Sequence, residues 1–235
     1  MKQILLIALM MSALIYGADN EIQIDQTGGT LNADIEQLGS GNLIGGSDAT
    51  AGDMTALDLD GATMTIDINQ IGDSNLFKGD IVSDTFTGFF NFDGNSNIFD
   101  IQVDPTNTYG ADNSDLNIQV SGNSNDLSLD QATTSMTSAL DLDWIIQGDS
   151  NIIDADIDVD LSTNYMDIDG NSNQLTFDSS GYQGGYFYID HTGNSRNFSI
   201  NQQSTLDNDW LRVFSNGDNG TFCINQNDGG TSTSC

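Results

Sequence analysis

The residues of this chain that could do chemistry are overwhelmingly aspartates. Only Glu21 and Glu36 among its 35 acidic residues are glutamate; with 4 basic residues, the 235-residue chain carries a formal charge of −31. Paired carboxylates at a suitable separation can cleave a glycosidic bond, one acting as acid and the other as base or nucleophile. Here aspartate is so frequent that no pair stands apart. Beyond Lys2, the only cations are Lys78, Arg196 and Arg212, a poor set for an anionic substrate. Carboxylates also suit calcium. Asp58, Asp60 and Gly61 resemble the middle of a calcium loop, but Ala56 stands at its first position and Asp67 at its twelfth. Asp167, Asp169 and Gly170 have Tyr165 at that first position. The expectation is no resident cofactor, with calcium at most weakly bound on the acidic face. Diffuse screening of a solvated face accounts for the same charge.

The remaining reactive side chains are few. His191 is the only histidine, and no serine has a base partner beyond it, so a Ser-His-Asp site is a weak reading. The two cysteines, Cys223 and Cys235, do not make a zinc set. In an oxidising compartment they would bridge and tie the tail to the last strand; two free thiols are the alternative. The expectation is that the protein is not an enzyme. Its charge argues against nucleic acid or an anionic membrane as partner.

The chain opens with Met1-Lys2-Gln3, an apolar run from Ile4 to Tyr16, and small Gly17 and Ala18. A basic start, a short apolar stretch and a small-residue exit make an export signal over residues 1–18. Cleavage falls after Gly17 or Ala18. The run is short for a membrane span, and no later stretch could cross one, so a secreted or cell-surface protein is expected.

The elements that position these residues show themselves through repetition. A Gly-x-x-Asn turn recurs as Gly39 to Asn42, Gly72 to Asn75, Gly94 to Asn97, Gly122 to Asn125, Gly148 to Asn151 and Gly170 to Asn173. Two degenerate copies begin at Gly193 and Gly217. The intervals between these glycines are 33, 22, 28, 26, 22, 23 and 24 residues. Apolar residues alternate on both sides of each turn, such as Leu142, Trp144 and Ile146 before Gly148, and Phe99, Ile101 and Val103 after Asn97. Period two with one apolar face is the signature of half-buried strands. Glycine and asparagine suit a turn that needs positive φ or close backbone approach. Connectors such as 47–60 and 106–114 vary in length, as surface loops do.

One strand-turn-strand unit cannot bury its own apolar face, whereas stacked copies can. The predicted fold is all-β: a single-domain β-solenoid over residues 19–226, of about eight repeats forming two facing parallel sheets, followed by a tail over 227–235. Buried amides in such a stack need an identical partner one rung away. Gln37, Gln70, Gln131, His191, Gln202 and Gln226 are the candidates for that inward polar ladder.

The unit Gln-x-Gly-x-x-Asn with a further Gln six residues on resembles the curlin repeat. Gln37 to Asn42 and Gln70 to Asn75 carry its first half, and Gln131, Gln202 and Gln226 its second. The resemblance spans residues 26–226 and implies a secreted β-solenoid that polymerises with itself into amyloid-like fibres of biofilm matrix. It also implies an outer-membrane secretion channel and a nucleator as partners. This chain departs from the pattern in its acidity, its uneven connectors, and its Ile, Val or Phe at many ladder positions. The alternatives are a non-polymerising adhesin, including a phage or cell-surface fibre module, and a β-helix enzyme acting on polysaccharide.

Overall fold

The structure is a computed structural model. It describes residues 5–8, 20, 22, 24–39, 42–45, 57–72, 75–94, 96–104, 113–131, 137–181, 185–204 and 209–228. Most of the expected export signal, the tail beyond Asp228, Tyr182 and Cys235 lie outside the described residues.

All described regular structure is strand. The first nine are β1 (Leu5–Ala8), β2 (Asp25–Thr27), β3 (Thr30–Leu38), β4 (Leu43–Ile44), β5 (Leu57–Ile71), β6 (Leu76–Asp93), β7 (Ser96–Val103), β8 (Ser114–Ser121) and β9 (Ser124–Gln131). Then come β10 (Thr137–Ser138), β11 (Leu140–Gln147), β12 (Ile152–Ile157), β13 (Val159–Asp160), β14 (Thr163–Asp169) and β15 (Gln174–Gly181). The last four are β16 (Tyr186–Thr192), β17 (Asn197–Ser204), β18 (Trp210–Asn216) and β19 (Thr221–Asp228).

Every strand pairing among the described residues is parallel. Segments that lead into a turn stack as β3, β5, β6, β8, β11, β14, β16 and β18. Segments that follow a turn stack as β4 with the start of β5, then the start of β6, β7, β9, β12, β15, β17 and β19. We call these the leading and trailing ladders. The long strands β5 and β6 run from one ladder into the other, which is why the two count as one continuous sheet. The β-solenoid expected from the sequence is present. Its coils number about six, slightly fewer than the eight repeats expected from the turn motifs.

The alternation dictates the packing. Residues at every second position point inward and are buried, as the alternating exposure of β3 and β11 shows. The narrow core between the ladders holds Phe77, Phe90, Phe92, Phe99 and Trp144, with ring centroids 5.1 to 6.3 Å apart. Period two suffices here because a parallel in-register stack repeats each inward position ~4.8 Å further along the axis.

One expectation is corrected. Residues 47–60 do not form a connector between strands. Leu57 to Gly61 are strand, paired with Gly79 to Ser83. Leu43 and Ile44 pair with Leu76 and Phe77 just before them. Residues 46–56 are therefore an insertion within one trailing strand. It accounts for an interval of 33 residues where the next is 22.

Candidate functional site

The recurring feature is the column of turns, and each position of Gly-[Asn/Asp]-Ser-Asn has its own physical task. The glycine sits against the turn before it. At Gly148 (φ +135°) and Gly170 (φ +146°) a Cβ would collide with the carbonyl oxygen of the preceding turn glycine. The second residue lends its side chain to the next rung: the Asn171 backbone N–H donates to Asp149 Oδ1 at 2.7 Å. Asn194 N–H does the same to Asn171 Oδ1 at 2.9 Å, and Asp218 N–H to Asn194 Oδ1 at 2.7 Å. These bonds hold the Asp149 carboxyl below its ordinary pKa, the backbone donor first and the Asn171 side chain second. The third residue takes positive φ, 64° at Ser150 and 62° at Ser172. Its N–H then reaches a carbonyl one rung on, Asn171 O at 2.7 Å and Asn194 O at 2.8 Å.

The fourth residue points inward and forms the amide ladder. Asn75 Nδ2 donates to Asn97 Oδ1 at 2.8 Å, Asn97 to Asn125 at 2.8 Å, Asn125 to Asn151 at 2.7 Å and Asn151 to Asn173 at 2.9 Å. A buried amide column of this kind satisfies itself only when neighbouring rungs carry the same residue. Asn42 donates within its own rung to Gln37 O at 2.9 Å. The ladder ends on His191, whose Nε2 lies 3.2 Å from Asn173 Nδ2. An amide nitrogen can only donate, so Nε2 accepts and Nδ1–H donates to Ser215 Oγ at 3.1 Å. Burial, then the Arg196 charge, pushes the imidazole pKa down, which favours the neutral ring.

The glutamines do not make one ladder. Gln37, Gln70 and His191 belong to a leading column, in which Phe92, Val120, Ile146 and Ile168 separate Gln70 from His191. Gln131, Gln202 and Gln226 belong to a trailing column, with Ile157 and Ser179 between the first two. Each column keeps one local pair. Gln70 Nε2 donates to Gln37 Oε1 at 2.5 Å, and Gln226 Nε2 to Gln202 Oε1 at 3.3 Å. Gln131 is buried with neither side-chain atom bonded among the described residues.

Asn20 was hidden in the sequence. Its Nδ2 donates to Leu38 O at 3.1 Å, the same bond that Asn97 makes to Ser121 O at 3.0 Å one rung on. The signal was available in Gly17-Ala18-Asp19-Asn20, with Gln26 six residues later, but it overlaps the exit of the export signal.

At the degenerate turns, Arg196 takes the asparagine place. Its guanidinium donates to Gly217 O at 3.0 Å and lies 5.1 Å from the centre of the Phe222 ring. Gly220, one rung on, is small where a Cβ would meet the Arg196 side chain. Cys223 is disulfide-bonded, and the chain has one other cysteine, Cys235.

The outer faces differ. On the trailing face, Asp58, Asp80, Asp130, Asp156 and Asp178 share a column. Burial, then Asp158 and other neighbouring carboxylates, raises the Asp156 pKa to about 6. Lys78 and Asp100 make an ion pair at 3.0 Å. Among the described residues no group of three or more His, Cys, Asp or Glu is arranged to hold a metal ion. On the leading face near the C-terminus, Tyr165 stacks on Tyr188 with centroids 5.0 Å apart, and Tyr186 on Trp210 at 4.1 Å. Arg212 lies 4.1 Å from the centre of the Phe214 ring.

Fold and turns together define a parallel β-solenoid held by amide ladders. A family model described as the curlin associated repeat matches residues 17–45. That segment begins at Gly17 and takes in the Gly39 to Asn42 motif, and the match agrees with the resemblance read from the later copies. No curated protein and no solved structure matches the chain.

Proposed function

We propose that this protein is an exported structural subunit that stacks end to end into extracellular, amyloid-like fibres of a surface matrix. The observation that carries this reading is the half-exposed apolar column of the last described rung. Phe222 and Ile224 occupy core-facing columns, yet 37% and 47% of their surface is exposed. In the rung before, Phe198 and Ile200 of the same columns are buried. An open strand edge with a half-covered apolar column is a template for another strand. The curlin-associated repeat supports the same reading, and a secretion channel and nucleator would be its partners during export and initiation.

A second reading, a non-polymerising adhesin, draws on the aromatic and arginine side chains exposed on β14, β16 and β18. Negative-stain electron microscopy of the chain without residues 1–18, with and without millimolar calcium, separates the two. Unbranched fibres are expected in both conditions. Fibres only with calcium would make cation bridging part of assembly. Monodisperse particles in both would overturn the fibre reading in favour of the adhesin.

A further inference from the structure

The outer trailing face changes character at the C-terminal end. Strands β9, β12 and β15 each carry aspartate. Strands β17 and β19 carry no charged residue before Asp228. The change is sharpest in one column. From Asp25 to Asp178 that column holds aspartate in every rung but one, where Gln102 stands, and it ends in Asn201 and Asn225. Stacked carboxylates repel: burial first, then neighbouring aspartates, raises the pKa of Asp80 and Asp130. At the end of the column the repulsion is gone, and Asn225 Nδ2 donates to Asn201 Oδ1 at 3.0 Å.

A terminal strand edge is ordinarily guarded by charge. Here charge is withdrawn at the edge, on the last described trailing strand, whose core-facing Phe222 and Ile224 are half-exposed. The carboxylates that remain near this end lie elsewhere. Asp190 is on the leading face, with the Tyr188 hydroxyl 3.5 Å away. Asp209 Oδ1 accepts the Gly185 N–H at 3.1 Å. Asp218 stands in the last turn, and Asp228 at the far end of β19.

The N-terminal end offers the matching strand. Gly45 N–H donates to Ile22 O, and Asp58 N–H to Ile24 O at 3.0 Å. Strand β2 follows, with Asp25 opposite Asp58 and Gln26 opposite Leu59. Ile22 and Ile24 pack against the core. Set on β19 of another copy in the same columns, this strand brings Ile24 onto Ile224, Gln26 onto Gln226 and Asp25 onto Asn225. We propose that copies join by seating Ile22, Ile24 and β2 of the incoming copy on β19, and that Asn201 and Asn225 let this end accept the incoming aspartate column. Aspartate at those two positions would carry the like-charge column unbroken across the joint; asparagine interrupts it where the two copies meet. This deepens the fibre reading and rests on it.

The trailing strands make the contact. In the leading ladder the same register sets β18 and the incoming β3 one level apart, the level that β1 holds on β3 here, with Leu5 opposite Leu31. Strand β1 lies within the segment expected to be removed on export. On the trailing side the paired strands stand ~4.8 Å apart, so a carboxylate placed at residue 225 would face Asp25 directly. Like charges that close repel most at low salt and are screened at high salt.

The test measures seeded fibre elongation by light scattering, using the chain that starts at Asp19 and variants shown to be folded by circular dichroism. At pH 8 and low salt, Asn225→Asp should slow elongation about fivefold. The parent rate should return in about 1 M sodium chloride, where the screening length falls to about 3 Å. Asp25→Asn added to Asn225→Asp should also restore the rate, whereas Asp58→Asn should not. Gln102→Asp adds the same charge to the same column away from both ends, and should leave elongation within about twofold of the parent. If Asn225→Asp elongates like the parent, or Gln102→Asp slows growth as much, the joint is overturned while the fibre reading stands. If Asp58→Asn restores the rate and Asp25→Asn does not, the incoming strand is not β2 and the proposal falls. If the parent forms no fibres in any condition, both fail.

Discussion

At the residue scale, the turn shows why a four-residue motif recurs over a long chain. Most of its bonds reach a neighbouring rung, while asparagines such as Asn151 also close their own turn on Gly148 O. Asn125 receives a bond from Asn97 and gives one to Asn151 in a buried column. Asn125→Ala leaves Asn151 Oδ1 without its donor and opens a small void. The expected loss is about 1–3 kcal/mol in urea denaturation. A loss below about 0.5 kcal/mol, the range of an inert surface change, would show that the ladder does not stabilise the fold.

At the element scale, strands carry the fold and their connections are dispensable where register allows. Leu43 and Ile44 sit opposite Leu76 and Phe77, and Leu57 sits opposite Gly79. Counting on from Ile44 opposite Phe77, Gly45 falls at the level of Lys78 and Leu57 at that of Gly79, so the two are successive positions of one trailing strand. Deleting residues 46–56 and joining Gly45 to Leu57 should leave the parallel strand spectrum intact and the thermal midpoint unchanged or raised, because a long loop costs closure entropy. A collapse of the midpoint would show that the insertion has contacts of its own within the fold.

At the scale of the whole molecule, in-register stacking forces like charges together. Burial and neighbouring aspartates raise the pKa of Asp80, Asp130, Asp154 and Asp167 as well as Asp156. A carboxyl whose pKa is raised on folding stabilises the fold at acid pH. That contribution is lost as pH rises, through about 6 for Asp156. His191 works the other way: its pKa falls below the ordinary imidazole value, so its contribution fades as pH drops through that range. The carboxylates outnumber the single imidazole, so the thermal midpoint should be higher at pH 5 than at pH 8. Asp156→Asn should raise the midpoint at pH 8 and flatten its slope between pH 5 and 7. A midpoint that falls steadily toward pH 5 would refute this balance. Weakly bound calcium on the same face would appear as a rise in midpoint beyond that given by sodium chloride of equal ionic strength.

The sequence by itself determined the strand periodicity, the turns, the inward and outward faces and the solenoid. All of these follow from local alternation and from glycine and asparagine at fixed offsets. It also placed Trp144 on the buried face by phase alone. Tertiary structure decided what depends on which rung lies beside which. Gln37 and Gln131 look alike along the chain, yet they fall in different ladders, and Gln131 has no amide neighbour in either adjacent rung. The asparagines form the continuous buried ladder because the turn fixes their height in every rung. The insertion at 46–56 resembles a connector until pairing shows the strand resuming beyond it. The place of Asn20 in the turn column becomes visible only when its side chain meets Leu38 O, since a column is a relation between rungs and no single rung contains it.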